Sequence, residues 1–100
     1  MRDTILAAIY SAIDQVNRQS PEKPPVRKST ETALFGSASD LDSLALINLV
    51  VAVEENVEKD LGVQITLVDD RALSAPVSPF TTVETLAAYV EQLVAESKNG

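Results

Sequence analysis

The sequence predicts an all-α fold, a small helical bundle of three long helices plus one short helix, with a long first loop. Three observations carry that expectation. Apolar residues recur at spacings of three and four in three separate segments, each able to line one face of a helix. Only one short stretch alternates in the manner of a strand, and it has no second strand pattern to pair with. Prolines and polar runs fall between the periodic segments, where helices have to stop.

The first helix is expected from about Asp3 to Asn17, because Leu6, Ile9, Ile13 and Val16 share one face. Asp3 suits the positive end of its dipole and Arg18 the negative end. The run SPEKPP, residues 20–25, ends it, since proline lacks the helical donor and clashes with the preceding turn. A polar connection then extends from about residue 18 to residue 41 and holds four of the eight bases, Arg18, Lys23, Arg27 and Lys28. Connections of this length are uncommon in compact domains and are often functional. Leu34 and Phe35 are expected to anchor its far end to the core.

The main helix is expected from Ser43 to about Asp60, with Gly62 placed to stop it. Leu46, Val50, Val53 and Val57, with Leu49 beside them, form its core stripe. A second apolar row, Leu44, Ile47 and Val51, continues into Glu54, Glu55 and Glu58. One buried face is enough for a helix in a small domain, so the second row asks for a partner.

The run VQITLVDDRAL, residues 63–73, reads as an extended loop followed by a short helical turn that Asp69 or Asp70 starts. Two adjacent acids could in principle bind a cation, but they more often begin a helix, and no metal site is expected. SAPVSP breaks the chain again. Thr81 and Glu84 then have the spacing of a capping box, and Val83, Leu86, Ala87, Val90 and Val94 continue as the last amphipathic helix.

Composition limits what such a bundle can do. One hundred residues suffice for a single domain spanning 1–100 and are too few for two ordinary ones. With only Tyr10, Phe35, Phe80 and Tyr89 aromatic, the core has to be aliphatic. Fifteen acids against eight bases give a net charge of −7, which disfavours nucleic acid and anionic membranes and favours proteins with basic patches. The chain has no cysteine and no histidine. Disulfides and Cys–His or Ser–His catalysis are thereby excluded, and a zinc site loses its usual ligands. A non-catalytic protein is expected.

Targeting signals are weak. ILAAIYSAI, residues 5–13, has the length of a signal-peptide core, but Asp3 interrupts the basic region and Asp14 follows closely. LALINLVVAV is too short to span a bilayer. The expectation is a cytoplasmic monomer with no stable membrane insertion.

The stretch SDLDSLALINLVVAVEENVEKDLG, residues 39–62, bears most directly on function. Its ordinary reading is structural, since Asp and Ser are preferred N-cap residues. If Asp42 is the cap, however, Ser43 becomes the first helical residue. A phosphodiester formed there would sit at the positive end of the helix dipole. The neighbouring row of Leu44, Ile47 and Val51 can then meet a partner that approaches the modified serine. Between Asp40 and Asp60 lie six acids (Asp40, Asp42, Glu54, Glu55, Glu58 and Asp60) and one base, Lys59, a balance that steers a basic partner to this face.

Here the sequence resembles the acyl carrier protein family. The likeness rests on LDSLALINLVVAVEENVEKDLGVQI and, after a spacer, FTTVETLAAYVEQL, and it covers roughly residues 34–95. The family pattern is an Asp-Ser-Leu at the start of the second helix, apolar residues at helical spacing and a glutamate pair two turns on. A glycine stop, a Thr-Val turn and a final amphipathic helix complete it. The resemblance implies that a phosphopantetheinyl transferase moves 4′-phosphopantetheine from coenzyme A to Ser43, which Asp42 flanks. The arm carries acyl groups as thioesters, delivered by an acyl-activating ligase or used by ketosynthase-type enzymes. The implied partner face is Leu44, Ile47, Val51, Glu54, Glu55 and Glu58.

Carriers of primary fatty acid synthesis commonly have acids where this chain has Ala45 and Asn48. That difference points to a specialised stand-alone carrier within fatty acid, polyketide or specialised lipid biosynthesis. Two alternatives stand beside it. A peptidyl or aminoacyl carrier shares the bundle, but its serine more often follows a Gly-Gly pair, in place of SDLDSL. An unmodified acidic interaction bundle would use Ser43 only as a cap.

Overall fold

The structure is a computed structural model that describes residues 2–19, 21, 26–34, 41, 43–67 and 79–99. The first apolar period becomes helix α1 (Arg2–Gln19), slightly longer at each end than its spacing predicts. It buries Ile5, Ala8, Ile9, Ala12, Ile13 and Val16. Leu6, expected on that face, is only partly buried, because the spacing of the buried set centres the face on Ile5, Ile9 and Ile13.

Helix α2 (Ser43–Leu61) follows the long connection and buries Leu49, Val50, Ala52, Val53 and Val57. Leu46, expected in the core stripe, is packed against the core but remains half-buried. Gly62 ends the helix as expected. Its φ of 67° lies in the left-handed region that residues with a Cβ rarely adopt, and its amide donates to the Glu58 carbonyl at 2.9 Å. The chain then runs extended through residues 63–67, alternating buried Val63, Ile65 and Leu67 with exposed Gln64 and Thr66. Helix α3 (Val83–Asn99) closes the domain and buries Val83, Leu86, Ala87, Tyr89, Val90 and Val94.

Helix α1 packs against both α2 and α3. The buried residues of all three join one cluster with Val26, Leu34 and the 63–67 segment. Among the described residues no polar or charged side chain is buried, so this aliphatic cluster is held together by removal of apolar surface from water. Each fully buried Val, Leu or Ile contributes about 1.5–3 kcal/mol toward offsetting chain entropy. The radius of gyration, 12.8 Å, matches the roughly 13 Å of a compact 100-residue domain. The described residues contain three helices and no strand beyond one isolated bridge, Ala33 with Thr82. The short helix expected after Asp69 or Asp70 falls outside them, as do Phe35 and Asp42.

The described part of the long connection, residues 26–34, is a strap from the end of α1 to the start of α3. Asn17 secures one end: its side-chain amide donates to the Val26 carbonyl at 3.1 Å and accepts from the Val26 amide at 2.8 Å. Lys28 pairs with Asp14 at 3.2 Å, and Thr32 Oγ1 donates to the Arg27 carbonyl at 2.8 Å. At the other end Leu34 is fully buried, and its amide donates to the Thr81 carbonyl at 2.9 Å.

That pairing also corrects the expected cap of α3. Thr81 is engaged by the strap, so the helix starts one residue later and the capping box is Thr82 with Thr85, not Thr81 with Glu84. The Thr85 amide donates to Thr82 Oγ1 at 3.2 Å, and the Thr82 amide donates back to Thr85 Oγ1 at 2.9 Å. The two preceding helical amides, Val83 and Glu84, donate to the strap carbonyls of Thr32 and Thr30 at 3.0 and 2.9 Å. Donors that a helix start leaves unpaired are thus satisfied by the strap.

Candidate functional site

The sequence places the site at the start of α2, and the backbone there is helical from Ser43 onward. No acidic residue lies in the first turn of α2, so no carboxylate inside the helix offsets the positive end of its dipole. Asp42, expected to cap the helix and flank Ser43, lies outside the described residues.

Immediately after Ser43 the helix turns apolar side chains to water. Leu44 is 68% exposed, Ile47 59% and Val51 46%. These are the exposed large hydrophobic residues among the described ones, and all three fall on one stripe. Their spacing of three and then four is helical, and continuing it by four and three reaches Glu55 and Glu58, both exposed. The stripe lies on the side of α2 opposite the buried Val53. Its serine end is apolar and its far end is anionic.

Glu54 separates from this set. The sequence groups it with Glu55 and Glu58, but it is half-buried, and its carboxylate accepts a hydrogen bond from the Leu67 amide at 2.7 Å. The bond ties α2 to the extended segment that follows it. Asn56 makes a comparable tie to α1, its Nδ2 donating to the Ala8 carbonyl at 3.0 Å. Neither role is marked in the sequence, where both residues look like ordinary solvated polar positions. The alternation over residues 63–67 is the one signal that Leu67 would be buried.

Leu44, Ile47, Val51, Glu55 and Glu58 are therefore brought together as one face by the helix itself, and Ser43 is the first residue of that helix. Asp69 and Asp70 lie outside the described residues. Among the described residues no three acidic side chains converge as a metal site would require. No described helix is long and apolar enough to cross a membrane. Comparison with known proteins gives no matching family model, no matching curated protein and no matching solved structure.

Proposed function

We propose that the chain is a stand-alone acyl carrier protein, with Ser43 as the attachment point for 4′-phosphopantetheine and the α2 stripe as the face its enzymes read. One observation carries this reading: among the described residues, the exposed large apolar side chains gather on one stripe of α2, starting one residue after Ser43. A helix that merely completes a core has no use for Leu44 at 68% exposure.

The residues present suit the group. A phosphodiester on Ser43 adds negative charge at a helix N-terminus whose first turn holds no carboxylate, where the dipole favours an anion. When bound, the arm supplies a thiol to a chain that has no cysteine of its own. Leu44, Ile47 and Val51 lose water when an enzyme covers them, and Glu55 and Glu58 attract a basic surface toward the same face. With no histidine in the chain, activation of the thiol falls to the partner enzyme. The reading also entails a short fourth helix within residues 68–78, a phosphopantetheinyl transferase and acyl-loading or ketosynthase-type partners, and a monomer in the cytoplasm.

The test is intact mass after incubation with a phosphopantetheinyl transferase and coenzyme A. Gain of one phosphopantetheine by the wild type, and none by Ser43→Ala, is expected. An unmodified wild type would leave the acidic interaction bundle as the better reading.

A further inference from the structure

We infer that Asn56 and Glu54 are positioning residues that fix the rotation of α2 about its own axis, and so the angle at which its exposed apolar stripe is presented to partners.

In its first half α2 is apolar on two sides. Leu49 and Val50 are buried, while Leu44, Ile47 and Val51 are exposed. Aliphatic side chains of similar size stand on both sides, so within this half burial energy alone discriminates poorly between them. The second half differs, because Val53 and Val57 are buried there and the opposite side carries Glu55 and Glu58. The two polar ties sit in this second half.

At about 100° per residue, positions 54 and 56 fall on opposite flanks of the stripe that Val53 and Val57 bury. Asn56 reaches the Ala8 carbonyl in the middle of α1, where buried Ala8 and Ala12 are short enough to let α2 come close. Glu54, on the other flank, holds the Leu67 amide of a segment that is itself buried at Val63, Ile65 and Leu67. A half-turn of α2 would bury Glu55 and Glu58 and is opposed by that alone. A smaller turn only slides aliphatic contacts past one another, but it would break both bonds and leave the Leu67 amide without its acceptor. Polar ties of this kind select one arrangement among several of similar hydrophobic energy. The helix is stiff, so a rotation set at Glu54 and Asn56 reaches Leu44 about three turns away. The inference concerns the presented face alone and stands whether or not Ser43 is modified.

The test compares amide proton–nitrogen correlation spectra of ¹⁵N-labelled protein. The variants are the double substitution Asn56→Leu with Glu54→Leu and the conservative Glu54→Gln, whose side-chain oxygen can still accept from Leu67. Wild type and Glu54→Gln are expected to give one signal per amide. The double variant is expected to stay helical by circular dichroism yet show doubled or broadened signals for residues 44–51, remote from the substitutions. A single sharp set at wild-type positions for those residues would overturn the proposal, as would equal heterogeneity in Glu54→Gln. If the double variant does not fold, Asn56→Ala decides in its place: broadening across residues 44–51 supports the proposal, and unchanged signals there refute it.

Discussion

The Asn17 side chain closes on the Val26 backbone from both sides, donating to its carbonyl at 3.1 Å and accepting from its amide at 2.8 Å. One residue at the end of α1 thereby imitates a strand partner and fixes where the strap begins. Asn17→Ala removes both bonds and is expected to cost about 1–3 kcal/mol in urea denaturation. Asn17→Asp keeps the acceptor but loses the donor, so its loss should be smaller. Equal losses from the two variants would mean that the bond from the Val26 amide, which Asp keeps, contributes nothing.

Ser43→Ala should leave the fold nearly intact, with about 1 kcal/mol or less lost even if the hydroxyl helps to cap the helix. The same change should abolish attachment of phosphopantetheine. Mass gain by the variant in a transferase assay would place the attachment elsewhere.

The two sides of α2 should respond differently to truncation. Leu49→Ala removes a buried side chain and is expected to cost about 2–5 kcal/mol, with Val53→Ala toward the low end of that range or below it. Leu44→Ala and Ile47→Ala remove side chains already in water and should shift the melting temperature little while slowing modification at Ser43. Leu46→Ala should fall between, as its half-buried position dictates. Matching losses of melting temperature at Leu44 and Leu49 would contradict the observed rotation.

Charge on the far end of the stripe should act through encounter. Replacing Glu55 and Glu58 together with lysine is expected to raise the transferase KM with little change in kcat, since steering governs association. The wild-type rate should fall with added salt, because the Debye length is only about 8 Å at physiological ionic strength, and the variant should respond less. Glu54→Gln belongs to a different class, as its carboxylate is already engaged by Leu67. Identical salt slopes for wild type and the lysine variant would count against this docking face.

Arg2 and Glu91 supply a pH-dependent contact between α1 and α3 at 3.0 Å. The hydrogen bond from Arg2 holds the Glu91 carboxyl below its ordinary value, and the same bond raises the Arg2 guanidinium above its own. A carboxyl depressed by folding adds stability above its unfolded value, near pH 4, and loses it as pH falls through the lower folded value. Glu91→Gln should therefore melt slightly below wild type at pH 7 and alongside it in strong acid. The gap should be small, because the pair is solvent-exposed. A gap that persists undiminished in acid would show that charge is not its cause.

The periodic core was legible because helical burial follows side-chain spacing, and Ile9, Ile13, Val53, Val57, Leu86 and Val90 all occupy the faces their intervals assign. The exposed row was legible for the same reason, as a stripe left over once the core stripe was complete. The start of α3 was displaced by one residue because Thr81 and Thr82 are chemically alike, and only the strap distinguishes them. The strap itself left little trace, since Thr30 and Thr32 act on α3 through backbone carbonyls that every residue carries. Asn56 and Glu54 were hidden by distance: their partners, Ala8 and Leu67, are backbone groups in other segments.

On the ribosome, the strap emerges about fifty residues before the helix it caps, an interval of roughly 3–10 s at ordinary elongation rates. Throughout that time the carbonyls of Thr30 and Thr32 and the amide of Leu34 can bond only to water. Helices α1 and α2 can already pair, but the side of α1 that meets α3 stays wet and apolar. The nascent chain therefore offers a binding surface to chaperones until α3 is made. Ribosomes stalled before and after Val83 to Asn99 should differ sharply in how readily proteases cut within residues 26–34.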